Sequence, residues 1–472
     1  MTYSQHLPTP TPNPSPQGRG ERGLRRGACP GLSAPMATGD GLLVRLTPIG
    51  TMPLDAFAEL CAAARLHGNG IIEVTARGNI QVRGLNAASA SSFAASVAAL
   101  DIAAADGLSV LINPLAGLDP EEIIDAGALA ADLRLALARC SLAPRLGAKV
   151  SVAIDGGGPL NLDSLAADVR LCAMAINDGA ALRVGLGGHG ADATELGLIA
   201  PTDGVTAVTR LLEVLAQGGR DARARDVLAM EGSAAFRATI ADFLLTPARP
   251  RESGDPASPA ANMGSHLGSR LRGNERGVHP ARRTTEAIGV HRLRDGSFAC
   301  GIGLAFGHAD ATSLERLTEA ARAAGASGMR AASGRTLITI GLTQQTPSSF
   351  AAVAENLGFI VRGDDPRRHV VACPGAPNCA SAEIAARAIG PLIAATAAPH
   401  LDGSFKIHIS GCAKGCAHPA PAALTIVGTP AGCALVANGS SRDAALKILP
   451  ADELPAAIAI LARDIKHEGG HV

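Results

Sequence analysis

A block of about forty-five residues occurs twice in this chain, and the duplication limits its architecture more than any single motif. The first copy, GLLVRLTPIGTMPLDAFAELCAAARLHGNGIIEVTARGNIQVRGL, spans 41–85; the second, CGIGLAFGHADATSLERLTEAARAAGASGMRAASGRTLITIGL, spans 300–342. Each reads as a strand, a Gly-containing loop, an amphipathic helix beginning near Leu54 or Leu314, a Gly stop, a second strand and a closing Gly-Leu. Leu54, Phe57, Leu60 and Ala64 share one helical face, and Gly68 is a candidate C-cap. A weaker repeat follows each copy. LGAKVSVAIDGGG (146–158) and GSFKIHISGCAKGCAHP (403–419) both set a lysine before an alternating strand that ends in glycine. The expectation is an α+β chain of tandem pseudo-twofold halves. Each half has a small module followed by a larger one, with a ligand site at their junction.

At 472 residues the chain has room for two to four domains. Residues 1–27, Pro-rich and then Arg/Gly-rich, read as a disordered tail. Residues 248–287, mixed in Pro, Gly, Ser and Arg, read as a flexible linker or insertion. The modules expected between them are 28–110 and 111–247 in the first half, 288–350 and 351–472 in the second. Forty-two basic side chains balance forty-two acidic ones, which argues against a nucleic-acid binder, and 2% aromatic content argues against base stacking. No uncharged apolar run reaches the ~18 residues of a membrane span, and the N-terminus lacks an apolar signal core. A cytoplasmic protein without a membrane partner is expected. In that setting ten cysteines read as thiols or metal ligands rather than as a disulfide framework.

Four of the cysteines form one pattern, with Cys373 and Cys379 as C-x5-C and Cys412 and Cys416 as C-x3-C. The first pair follows the apolar run HVVAC at a Pro/Gly loop, before a helix expected over SAEIAARAIGPLI. The second pair follows KIHIS in a Gly-rich turn. Loops at strand ends can bring four thiolates together with backbone N–H groups directed at sulfur. Zinc favours tighter C-x2-C knuckles, so the spacing favours a [4Fe–4S] cluster. Cys61 and Cys172, in Ala-rich patterns that read as helical, and Cys300 and Cys433, beside strands, are expected in the core. Cys29, next to the tail, is open to either role.

Over 72–83 the even positions (Ile72, Val74, Ala76, Gly78, Ile80, Val82) are apolar or small, and the odd ones (Glu73, Thr75, Arg77, Asn79, Gln81, Arg83) are polar. Read as one strand, this puts all six polar side chains on one face. Spacing alone leaves that face either a wall for a carboxylate-bearing ligand or the solvent side of an antiparallel sheet. Gly78 is a candidate hairpin or bulge. GLGGHG (185–190) lacks the strand–helix setting of a dinucleotide loop and reads as a turn.

The cysteine pattern, with TARGNIQVRGL (75–85) and NPLAGLDPEE (113–122), resembles the nitrite/sulfite reductase superfamily. RGACPGLSAPMATGDGLLVRLTP, AKVSVAIDGGG and SGCAKGCAHPAPAALTIVG look most like its precorrin-3B synthase branch, over about 26–245 and 288–472. The resemblance implies two ferredoxin-like half-domains plus two larger nitrite/sulfite reductase-type α/β domains around a [4Fe–4S] cluster on Cys373, Cys379, Cys412 and Cys416. Two departures bear on chemistry. The siroheme-dependent reductases carry Lys-x-Lys where this chain has Lys149-Val150-Ser151, and an arginine before NPLAG that GLSVLINPLAG lacks. Reducing a small anion needs concentrated positive charge. The implied ligand is therefore a polycarboxylated tetrapyrrole, precorrin-3A, in the cavity that siroheme fills in the reductases. Dioxygen would be the co-substrate of a monooxygenase step in aerobic cobalamin biosynthesis. Electrons would come from NADH through an external electron-transfer partner.

Arg77 is carried over from the superfamily's Thr-x-Arg motif and, with Lys149, is the catalytic expectation. Arg77, Asn79, Gln81, Arg83, Lys149, Arg335 and Lys406 are the expected substrate anchors. His408 and His418 are candidate ligands of an additional non-haem iron, although a strand or turn histidine is more often structural. Lys414 either tunes the cluster by its charge or points to water. A siroheme-dependent nitrite or sulfite reductase, with its heme binding, is the second reading. A non-catalytic iron–sulfur electron carrier or redox sensor is the third.

Overall fold

In the first repeat the helix runs Leu54–His67, with Leu54, Phe57, Leu60 and Ala64 buried and Gly68 at its C-cap. Its counterpart, Ala311–Ala323, opens on Asp310, whose side chain accepts from the Ser313 N–H at 2.8 Å. The computed structural model describes residues 30–177, 179–245 and 286–467. The expected tail, Cys29 and nearly all of the 248–287 linker lie outside them.

Each repeat builds a five-stranded sheet of the same order. The first is Met36–Thr38, Gly41–Leu46, Ile80–Leu85, Ile71–Val74, His308–Asp310. The other is Gly289–Arg292, Phe298–Gly303, Thr336–Leu342, Gly328–Ala332, Met52–Pro53. The fifth strand of each comes from the opposite half. His308–Asp310 pairs with Ile71–Val74, and Met52–Pro53 pairs with Gly328–Ala332. Each donated strand runs straight into its half's helix. The helices Leu54–His67 and Ala311–Ala323 then pack in one core, where Phe57 and Leu60 join Leu314, Leu317, Met329 and Phe350. Neither small module has a core of its own.

The polar alternation over 72–83 is a hairpin and not a single strand. Ile71–Val74 and Ile80–Leu85 pair antiparallel, with Glu73 opposite Gln81, and Gly78 sits in the turn at φ +77°. The turn reverses the chain because the Thr75 N–H is donated to the Asn79 carbonyl at 2.9 Å. Cross-strand register restores what the single-strand reading expected, since Glu73, Gln81 and Arg83 still meet on one side.

Two larger sheets repeat a second order: two parallel pairings followed by two antiparallel ones. Ser109–Ile112, Ser151–Asp155, Val169–Ile176, Gly179–Leu186 and Thr194–Ile199 form one. Val370–Ala372, Ile407–Ser410, Ala422–Thr429, Gly432–Gly439 and Lys447–Leu449 form the other. Helices Ala126–Arg139 and Gly204–Gln217 cover the first sheet, and Ala386–Ala397 and Leu454–His467 cover the second. Cys172 lies on a strand, not a helix, although it is buried as expected. The helix expected from Ser381 begins only at Ala386. The Ala382 and Glu383 N–H groups are committed to the carbonyls of Cys379 (2.9 Å) and Gly411 (2.8 Å), which holds 381–385 as a turn over the cysteine loops.

Candidate functional site

Where the two repeat hairpins meet, their tips interlock. The Gly334 N–H is donated to the Ala76 carbonyl at 3.0 Å, Arg77 bridges to Ser333, and a Cβ on Gly78 would stand 2.9 Å from the Ala332 carbonyl carbon. In the second tip Gly334 and Arg335 both have positive φ, +75° and +62°, as a tight hairpin turn requires. For an arginine this is a sparsely populated conformation, held here by the Leu304 N–H on the Arg335 carbonyl at 3.0 Å. Gly307 lets the arginine side chain pass, since a Cβ there would lie 2.7 Å from Arg335 Cδ.

Beside this junction lies a cavity of about 330 Å³, partly open to solvent, at the lower end of the range of ligand sites. Its walls include Arg45, Glu73, Arg77, Asn79, Gln81, Arg83 and Arg335, together with Phe306, Cys373 and Cys416. Arg77 Nη2 donates to the Ala166 carbonyl at 3.0 Å, tying the first hairpin to the loop that leads into Val169–Ile176 of the first large sheet. Arg83 donates to Glu73 (3.0 Å) and to Asp40 (3.3 Å), and Glu73 also receives Arg387 from the second half. The Gln81 amide, turned to suit its neighbours, donates to Glu73 and accepts from Arg45, both at 3.1 Å. Burial works against ionisation of Glu73, but the charges of Arg83 and Arg387 outweigh it and hold the carboxyl below the usual range. Burial lowers the Arg335 and Arg387 guanidiniums, with Glu73 opposing in each case.

Of the seven expected anchors, five line the cavity: Arg77, Asn79, Gln81, Arg83 and Arg335. Lys149 does not. It is exposed at the head of Ser151–Asp155, outside the lining. Lys406 is also exposed and outside the lining. Desolvation, then the charges of Arg335 and Arg368, lowers its ammonium, which places it on the Arg335 side. Arg45, Arg387 and Phe306 were not among the expected residues. Arg45 was legible as the single charge in the strand GLLVRL. Arg387 was not, because only the tertiary fold sets it against Glu73.

The cysteine loops end adjacent parallel strands. Cys373 follows Val370–Ala372, and its Sγ accepts the Gly411 N–H at 3.0 Å. Burial raises the Cys373 thiol, backbone N–H groups of Gly411 and Gly375 oppose this, and the nearby Cys416 and Cys379 raise it further. The Cys416 thiol is raised by desolvation within its loop and then by Cys412, with Arg83 pulling the other way. Cys373 thus feels Cys416 and Cys379, and Cys416 feels Cys412 and Cys379. Lys414 spans the two loops by donating to Ser381 Oγ at 2.9 Å. Among the described residues no three His, Cys, Asp or Glu side chains converge as ligands of a single metal ion. A multi-iron cage asks for a different arrangement, four thiolates around it, each on its own iron. The N–H group already directed at Cys373 Sγ suits such a thiolate.

The first half carries the same loop without thiols. Asn113 and Asp119 stand six residues apart, as Cys373 and Cys379 do, and the Gly156 N–H is donated to Asn113 Oδ1 at 2.6 Å where Gly411 serves Cys373. The Ile123 and Glu383 N–H groups repeat the match, each donated at 2.8 Å to the carbonyl of that glycine. NPLAGLDPEE is thus the pseudo-twofold partner of the cysteine loop.

His408 is fully buried, with neither ring nitrogen hydrogen-bonded, and meets His418 edge-on at 5.7 Å between centroids. Burial, then His418 and Arg335, pushes the His408 imidazole down to about 4, so it is neutral. No third ligand joins this pair among the described residues. Burial keeps the thiols of Cys61, Cys300 and Cys433 raised and unreactive, as expected of core cysteines. No described helix is long and apolar enough to cross a membrane.

Residues 34–100 match the nitrite/sulfite reductase ferredoxin-like half domain. A precorrin-3B synthase from a Sinorhizobium species is 36% identical over 444 residues, covering 94% of this chain and 89% of that protein. The structure of the Mycobacterium tuberculosis NirA protein aligns with a TM-score of 0.65 over 91% of this chain and 82% of that one. At 17% identity this likeness shows a shared fold.

Proposed function

This chain belongs to the precorrin-3B synthase family, and on that footing we propose that it is an iron–sulfur oxidoreductase that hydroxylates precorrin-3A with dioxygen. The observation that carries the reading is one cavity whose walls hold Arg45, Arg77 and Arg335 together with Cys373 and Cys416. Guanidiniums match the carboxylate rim of a tetrapyrrole bidentately. Asn79 adds an amide from the first hairpin tip, and Lys406 extends the basic edge beyond Arg335. Lys149, exposed outside the lining, is left out of the binding set.

Cys373, Cys379, Cys412 and Cys416 would hold the [4Fe–4S] cluster, which when bound supplies electrons singly, the spin-allowed route for triplet dioxygen. NADH, through an external partner, is the proposed electron source. The balance is one dioxygen, two electrons and two protons. One oxygen atom adds across a macrocycle double bond and ends as a hydroxyl, a ring acetate oxygen bonds to the neighbouring carbon to close the γ-lactone while its proton goes to that hydroxyl, and the other oxygen atom leaves as water. The chain's own contribution is positional: the interlocked hairpin tips fix Arg77 and Arg335 against one another, and buried Phe306 excludes water from that wall. The test is anaerobic addition of precorrin-3A to cluster-loaded protein, then NADH, an electron-transfer partner and oxygen, with mass analysis. A gain of one oxygen atom is expected. An unchanged mass overturns the reading, and siroheme absorption in the purified protein would favour a reductase.

A further inference from the structure

Among the described residues that line the cavity, Glu73 is the only carboxylate. It faces a wall that would otherwise be cationic. Its two oxygens take Arg83, Arg387 and the Gln81 amide, and its carboxyl is held ionised. Arg387 has two further buried nitrogens, Nε and Nη1, with no partner, so its donors exceed what Glu73 can accept. A planar guanidinium pair of this kind recognises carboxylate and inorganic oxyanion alike.

We propose that Glu73 is a built-in anion that determines specificity: its carboxylate occupies Arg387 and, together with Asp40, Arg83, and so closes that pair to small inorganic oxyanions, while Arg45 and Arg335 face the carboxylates of a larger ligand. A tethered carboxylate acts at a high effective concentration, so a free anion in solution competes poorly for the same donors. The inference rests on the reading of this cavity as the ligand site, but it concerns selectivity and not turnover.

The probe is sulfate, titrated calorimetrically in low-chloride buffer into the full-length, anaerobically purified protein. Wild type should bind sulfate only weakly, through the arginines that Glu73 leaves open. Glu73→Ala and Glu73→Gln should bind sulfate at least tenfold more tightly, and adding Arg83→Gln to Glu73→Ala should abolish the gain. Glu73→Gln keeps the side-chain volume and one acceptor, so it serves if the alanine variant fails to fold. Saturable binding by wild type as tight as by the variants overturns the proposal, as does a folded variant that binds none. Because no tetrapyrrole enters this titration, its failure is distinguishable from a failure of the oxygen-insertion assay.

Discussion

Cys412 lies one residue beyond the glycine whose N–H is donated to Cys373 Sγ, so its position is set by the same strand end that serves its partner. Cys412→Ser should remove the visible absorption and most of the bound iron of the reconstituted protein, read by spectrum and iron assay. It should also lower the thermal midpoint of the C-terminal module, because cluster binding contributes to folding there. Retained iron would show that the ligand set is wrong. His308 makes a second prediction. Burial and then the Arg387 charge push its imidazole down to about 4 from 6.5, with Glu73 and Asp310 pulling the other way. Between those values the unfolded chain takes up a proton that the folded chain refuses. The neutral ring's contribution is therefore complete above about 6.5 and drains away as pH falls toward 4. His308→Leu should flatten the unfolding free energy across that window by on the order of 3 kcal/mol, measured by urea titration at a series of pH values.

At the scale of elements, the hairpin tips are the feature on which the cavity depends. Gly78 sits at φ +77° with the Ala332 backbone against it, so Gly78→Ala combines strain with a clash and should cost about 1–3 kcal/mol. A thermal melt reads the loss, and a parallel fall in tetrapyrrole affinity is expected because Arg77 and Arg335 ride on the two tips. The repeated helix was legible because its apolar face is written in local spacing. Leu54, Phe57, Leu60 and Ala64 are all buried. Over 72–83 period-two alternation continues through a tight turn, and Gly78, the candidate hairpin position in the sequence, is the residue that takes the positive φ. The helix at Ser381 was misplaced for a non-local reason. Its first N–H groups are claimed by Cys379 and Gly411, carbonyls that no propensity reveals.

Over the whole molecule, the pseudo-twofold plan could be read from the duplicated block, but the exchange of strands could not. Met52–Pro53 and His308–Asp310 are two and three residues long, and nothing local says whose sheet they join. Likewise Lys149 and Lys406 matched as repeat positions, yet exposure separates both from the cavity lining. The exchange predicts mutual dependence. Fragments 30–245 and 286–467 made separately should be insoluble or unfolded by circular dichroism, while co-expression should recover a folded pair. An independently stable fragment would refute this. The same exchange bears on synthesis in the cell. The edge strand Ile71–Val74 leaves the ribosome more than two hundred residues before its neighbour His308–Asp310. At roughly 5–20 residues per second a nascent chain carries that open, aggregation-prone edge for on the order of tens of seconds. Chaperone supplied during translation should then raise the soluble yield, read by the soluble fraction with and without its co-expression.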